Sequence, residues 1–209
     1  MGIKNANIPE PNKSEVKKWL DKWNELEDYR IQEEAINDLF QKMYPRCNEL
    51  KEVIIKCSIL NDFYSTNIFK VFPVAKHIIE IENINEKLAA GDPTLVDEIA
   101  NVRLGENDKE KYLYSFATKF CSHHNEEAYP IYDSYVSAML RYFRNNNKKK
   151  LNFKNNELKK YETFKLVLEK FKLAFHLENF SFKEIDRYLW QAGKFYMPNN
   201  IIKNSAKYR

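Results

Sequence analysis

The sequence predicts an all-α fold, a compact multi-helix domain of about ten helices, and three observations carry that prediction. Only 4 glycines and 7 prolines occur in 209 residues, too few for the tight turns that an all-β chain needs. Apolar residues recur at helical spacing along most of the chain, and no segment alternates in the manner of a half-buried strand. Helix start and stop signals stand between these stripes. Residues 1–12 read as a flexible N-terminal tail and 13–209 as a single all-α domain, long enough to bury a core without staples.

The elements follow in order. Two amphipathic runs cover about 15–28 and 31–43, the second stopped near Pro45. Leu50, Val53, Ile54, Cys57 and Leu60 form one helical stripe, followed by a polar junction over 61–67 that contains Phe63 and Tyr64. A helix over 68–81 carries Pro73 near its first turns, where proline is tolerated. Residues 83–90 form a short helix stopped by Gly91, and Asp92-Pro93 opens the next one as an acid cap followed by proline. After a polar break at 103–111, an apolar face returns with Tyr112, Leu113, Phe116, Ala117 and Phe120. A second break, 122–130, leads into a helix bearing Val136, Met139, Leu140 and Phe143. A lysine- and asparagine-rich stretch, 145–156, reads as a long loop before a helix over 158–175. Ser181 and Glu184 make a capping box that opens the last helix, through Ile185, Leu189 and Ala192 to Gly193.

Composition narrows the function classes. The three cysteines, Cys47, Cys57 and Cys121, have neither disulfide nor zinc spacing and point to a reducing compartment. The N-terminus lacks the apolar core of a signal peptide, and no stretch reaches the ~20 apolar residues of a membrane helix, so a cytoplasmic location without membrane contact is expected. The net charge is +4, which permits a polyanionic partner without requiring one. Between 141 and 160, eight basic residues, among them Lys148, Lys149 and Lys150, face one acid. They make either a solvated loop or a phosphate-contacting surface.

The most unusual segment is 114–136, where an apolar helix passes through a polar turn into Tyr129-Pro130-Ile131-Tyr132-Asp133-Ser134 and a second apolar helix. Asp133 is placed to cap that helix, whose free N–H groups favour negative charge there. A carboxylate so held, if it faces a pocket, can also stabilise a developing positive charge, so the cap and the catalyst are compatible roles.

Pro130-Ile131-Tyr132-Asp133-Ser134-Tyr135-Val136 resembles the core of the helix-hairpin-helix DNA glycosylase superfamily, the endonuclease III-like fold. The resemblance places Asp133 on that family's catalytic aspartate. Residues 59–66 are similar to an early helix end that carries the residue filling the gap left by a flipped base, here Tyr64, which reads equally as a core residue, and 85–99 resembles the family's paired short helices. The likeness covers about 50–143. The stretch matching the phosphate-gripping hairpin, Leu104-Gly105-Glu106-Asn107-Asp108-Lys109, keeps one glycine and adds two acids. The iron–sulfur cysteine cluster of some members is absent, and Tyr135 stands where many have histidine or asparagine.

The resemblance implies a DNA glycosylase-like activity on double-stranded DNA, needing no cofactor, in which damaged or mispaired bases are excised by cleavage of the N-glycosidic bond. Asp133 would stabilise the sugar oxocarbenium. Some members use a lysine near the hairpin to form a Schiff base, which singles out Lys109 and Lys111, with Lys119 more distant. Each is equally read as a solvated surface residue. Tyr129 and Tyr132 flank the proline and either stack on a base or pack against Phe116 and Phe120. His123 and His124 line the turn, where one imidazole can touch substrate or phosphate. With Cys121 they are too few for a zinc site, and no metal is expected. The alternative is a catalytically inactive nucleic-acid-binding or protein-interaction domain on the same scaffold.

Overall fold

A computed structural model of the chain describes residues 8–104 and 109–198. Its first two helices, α1 (Lys13–Glu25) and α2 (Glu27–Asp38), are split at Leu26, and α2 runs on into a π-helical turn at Leu39–Met43. Next come α3 (Leu50–Tyr64), α4 (Val71–Ile79), α5 (Ile84–Ala90) and α6 (Thr94–Ala100). Two short strands, β1 (Asn101–Leu104) and β2 (Lys109–Tyr112), pair antiparallel, with Val102 opposite Lys111. The chain continues through α7 (Tyr114–His124), α8 (Ser134–Asn146), a 3-10 turn at Asn155–Lys159, α9 (Tyr161–Ala174) and α10 (Phe182–Tyr196). The fold is all-α, with one small hairpin on its edge.

The caps act as the residue types dictate. Asn12 accepts from Glu15 N at 2.9 Å to start α1, and Asp92 Oδ1 accepts from Thr94 N at 2.9 Å to start α6. Gly91 stops α5 with φ +69°, and a side chain there would meet Ala128 Cβ at 2.5 Å. Ser181 and Glu184 form the expected capping box at α10.

Three expectations are corrected. The segment 8–12 is not a free tail: Ile8 is buried and Glu10 pairs with Lys150 at 2.8 Å, while residues 1–7 lie outside the described residues. The polar break before Tyr112 is a β-hairpin, because Val102 is buried between exposed Asn101 and Arg103. The last helix passes through Gly193 to Tyr196, since that glycine is needed inside the helix rather than at its end.

A single continuous apolar cluster runs from Ile8 to Ala192. At its centre lies α7, where Tyr114 and every residue from Phe116 to His123 are buried. A helix buried on all sides turns its polar residues toward other elements as well. α8 and α10 cross closely at Gly193, where an added Cβ would come within 2.8 Å of Tyr135 Cβ. α10 also packs on α1, so the two ends of the chain meet.

Candidate functional site

The burial of α7 and the crossing of α8 and α10 leave a cavity of about 150 Å3. Its lining combines an aromatic wall, Trp23, Tyr29, Phe63, Tyr64 and Trp190, with charged groups from Glu33, Lys119, Asp133, Asp186 and Arg187. A cavity of ~150 Å3 holds one benzene-sized ring.

Lys119 projects from α7 with only 3% of its surface exposed. Its Nζ donates to Ser115 Oγ at 2.6 Å, one turn back on the same helix, and lies 5.0 Å from the centre of the Tyr64 ring. Burial lowers its pKa, with the negative charges of Asp133 and Asp186 opposing the shift. A buried lysine of this kind has more free amine than a surface lysine, and the free amine is the nucleophilic form.

Asp133 is the cap of α8 that the sequence predicted, accepting from Tyr135 N at 2.7 Å, and it lines the cavity as well. Asp186, on α10, has its pKa pushed up to about 7, first by burial and then by the charge of Asp133, against the pull of Lys183 and Lys119. Glu33 is also buried but is held below the usual carboxylate range, because Lys183 and Arg187 each approach it at 2.5 Å. Arg187 in turn lies 5.0 Å from the Trp23 ring centre. Glu33 thus fixes one wall of the cavity.

Tyr64 forms another wall. Its hydroxyl is 2.9 Å from His123 Nε2, and His123 Nδ1 is 2.9 Å from Asn37 Oδ1. Because the amide oxygen only accepts, Nδ1 carries the proton and Nε2 accepts from Tyr64. Burial holds His123 neutral, with its pKa well below the ordinary value. His123 therefore supports the cavity from behind. His124 points elsewhere, with Nε2 3.3 Å from buried Lys56 and 3.6 Å from Cys47 Sγ, and burial pushes its pKa down to about 3.

The remaining sequence candidates scatter. Lys111 is exposed on β2 and does not line the cavity. Lys109 begins β2, but its side chain lies outside the described atoms, and Gly105 lies outside the described residues. Tyr129 is fully buried, with its hydroxyl 2.9 Å from Lys87 O and 3.0 Å from Asp92 O, so it has no surface to offer a base. Tyr132 packs between Tyr114 and Phe164. Lys148, Lys149 and Lys150 form an exposed turn, the last tied to Glu10. Among the described residues, no group of three or more His, Cys, Asp or Glu could hold a metal ion, and no helix is long and apolar enough to cross a membrane.

Sequence reasoning missed Trp23, Glu33, Asp186, Arg187 and Trp190. Asp186 and Trp190 are four apart, one turn of a helix, but such a pair is indistinguishable in sequence from ordinary surface residues. It also missed Phe69, which is 89% exposed. Its loop is rigidly built: Asn61 Oδ1 accepts from Thr66 Oγ1 and Ile68 N, each at 2.8 Å, and Asn61 Nδ2 donates to Ile68 O at 3.0 Å. Ile68 is buried as the anchor, and the loop begins at Ser65, on the cavity rim.

The chain is 47% identical over 151 residues to an uncharacterized protein of Haemophilus influenzae, a match covering 72% of this chain and 71% of that protein. No solved structure matches the chain significantly. A family model described as an N-terminal domain, HI_0787_N, matches residues 15–128. That stretch contributes Trp23, Glu33, Tyr64 and Lys119 to the cavity, and Asp133, Asp186, Arg187 and Trp190 complete it from beyond. With more than half of its length matched, the chain belongs to the HI_0787_N family.

Proposed function

We propose that the protein is a DNA glycosylase that excises a base by attack of the Lys119 amine on C1′ of the sugar, with the Asp133 carboxylate stabilising positive charge on that sugar. The observation that carries this reading is the meeting of the two groups in a single aromatic-walled cavity the size of one ring. A base in a duplex reaches such a cavity only by leaving the stack, which costs least for damaged or mispaired bases.

The chemistry balances with the groups at hand. As the N-glycosidic bond breaks, its electron pair leaves with the base. The Nζ lone pair forms the new bond to C1′, and the proton that nitrogen sheds goes to the departing base. Opening of the sugar ring then gives an imine, which borohydride reduces to a stable amine. Ser115 Oγ fixes the direction of Nζ, and Phe69, exposed on the loop that leaves the cavity at Ser65, is an aromatic that can enter the duplex where the base has left.

A specific observation favours a second reading. The segment resembling the phosphate-gripping hairpin is flanked by the paired strands β1 and β2 and keeps one glycine with two acids, which disfavours the family's grip and favours a scaffold that binds without cutting. The test is incubation of the protein with duplexes carrying oxidised, alkylated, deaminated and mismatched bases, with and without borohydride. A covalent adduct lost in Lys119→Gln, together with base release lost in Asp133→Asn, supports the enzyme. Salt-sensitive duplex binding with neither product supports the binder.

A further inference from the structure

A buried polar atom without a partner is costly, because it has given up its water for nothing. Among the described residues four buried side-chain atoms are in this condition: Trp23 Nε1, Tyr114 Oη, Asp186 Oδ1 and Arg187 Nε. Three of the four belong to residues that line one cavity. Such atoms gathered in a ring-sized space indicate that a ligand completes them.

We propose that these three atoms read the ring that occupies the cavity, and that the ring is a lactam, a heterocycle with an N–H beside a carbonyl. The assignment rests on the base-pocket reading above and adds the atoms that select the base. Trp23 Nε1 and Arg187 Nε are donors only, and Asp186 supplies the acceptor. The two donor residues are in contact, with the Arg187 guanidinium over the Trp23 ring, 5.0 Å from its centre. Arg187 is also held by its terminal nitrogen, 2.5 Å from Glu33, while its Nε has no partner.

Two adjacent donors are best met by one carbonyl oxygen, which has two lone pairs, whereas a ring nitrogen has one. The N–H beside that carbonyl then goes to Asp186. Uracil, thymine, hypoxanthine, guanine and their oxidised forms present this edge. Adenine has no carbonyl, and cytosine whose N1 carries the sugar has no N–H next to its own. An apolar ring of the same size leaves all three atoms unpaired.

The experiment is titration of the full chain with 1-methyluracil, 9-methylhypoxanthine, 9-methyladenine and 1-methylcytosine, whose methyl stands where the sugar is attached, followed by tryptophan fluorescence. Trp23 and Trp190 line the cavity and are two of the 3 tryptophans in the chain. The two lactams should bind tighter than adenine and cytosine by about tenfold or more, the scale of one hydrogen bond to a charged group. Asp186→Leu should erase that preference, where an asparagine oxygen would still accept, and so should Trp23→Phe, which keeps a ring and removes the donor. Circular dichroism and thermal melts verify that both variants are folded. Equal binding of all four bases, no binding of any, or a preference that survives Asp186→Leu overturns the assignment. Lactam binding by a protein that cleaves no duplex refutes the glycosylase alone. Cleavage without lactam preference refutes the lactam reading alone.

Discussion

Lys119 Nζ and Ser115 Oγ lie 2.6 Å apart on the same buried face of α7, so the amine is aimed by its own helix before any substrate arrives. If Lys119 is the nucleophile, Lys119→Met removes the borohydride-trapped adduct and lowers base release by about 10³-fold or more. A methionine also removes a buried cation, so the variant should melt no lower than the parent. A fall in melting temperature without loss of the adduct would make Lys119 structural.

Glu33 organises the opposite wall. Glu33→Gln leaves Lys183 and Arg187 facing a neutral amide, and breaking a buried pair from one side costs about 3–5 kcal/mol. Because its pKa is lowered in the folded protein, Glu33 stabilises the fold above the unfolded carboxylate range and loses that contribution as the pH falls through its folded value. Urea unfolding should therefore show the full difference between parent and variant at pH 7 and a shrinking one in acid.

Asp186 has the opposite sign. Its pKa is raised to about 7, with Lys183, Asp133, Lys119 and Glu33 as its charged neighbours. The folded state therefore holds a proton that the unfolded state has released, and this group's contribution to stability falls as the pH rises from the ordinary aspartate range to about 7. Asp186→Asn should unfold like the parent in acid and be more stable at pH 8 by roughly 2–4 kcal/mol. Equal melting curves at pH 8 would show that the carboxyl is not desolvated.

Gly193 sets how closely α10 approaches α8. Gly193→Ala drives a methyl toward Tyr135 Cβ, which would lie 2.8 Å away, and overpacking of this kind costs about 1–3 kcal/mol. Since α10 carries Asp186 and Trp190, base binding should weaken together with stability, as read by melting and fluorescence titration.

Phe69 tests the duplex side of the reading. It is 89% exposed on a loop fastened by Asn61, so Phe69→Ala should leave the melting temperature unchanged. Duplex binding should weaken by about tenfold, since base–aromatic stacking contributes ~1–3 kcal/mol. Free-base binding should be unaffected.

Much of the helical fold was legible because its signals are local. The Ser181 and Glu184 box, the Gly91 stop and the Asp133 cap each lie within one turn of what they control. The paired strands were not legible, since Val102, buried between exposed Asn101 and Arg103, sits in a strand too short to show alternation. In the candidate site, Asp133 stood out because proline and apolar residues isolate it. Lys119 was less visible because the chain contains many lysines, and its burial comes from α7 being surrounded on every side. Trp23, Glu33, Asp186, Arg187 and Trp190 meet only through the packing of α1 and α2 on α10, which no local pattern encodes.

The ion pair between Glu33 and Arg187 spans 154 positions of sequence. A contact that distant exists only once the two ends of the chain have come together. The cavity is therefore the property of the closed ring of helices and of no fragment. A ribosome that has yet to release α10 holds a chain that lacks Asp186, Arg187 and Trp190, and with them one side of the pocket.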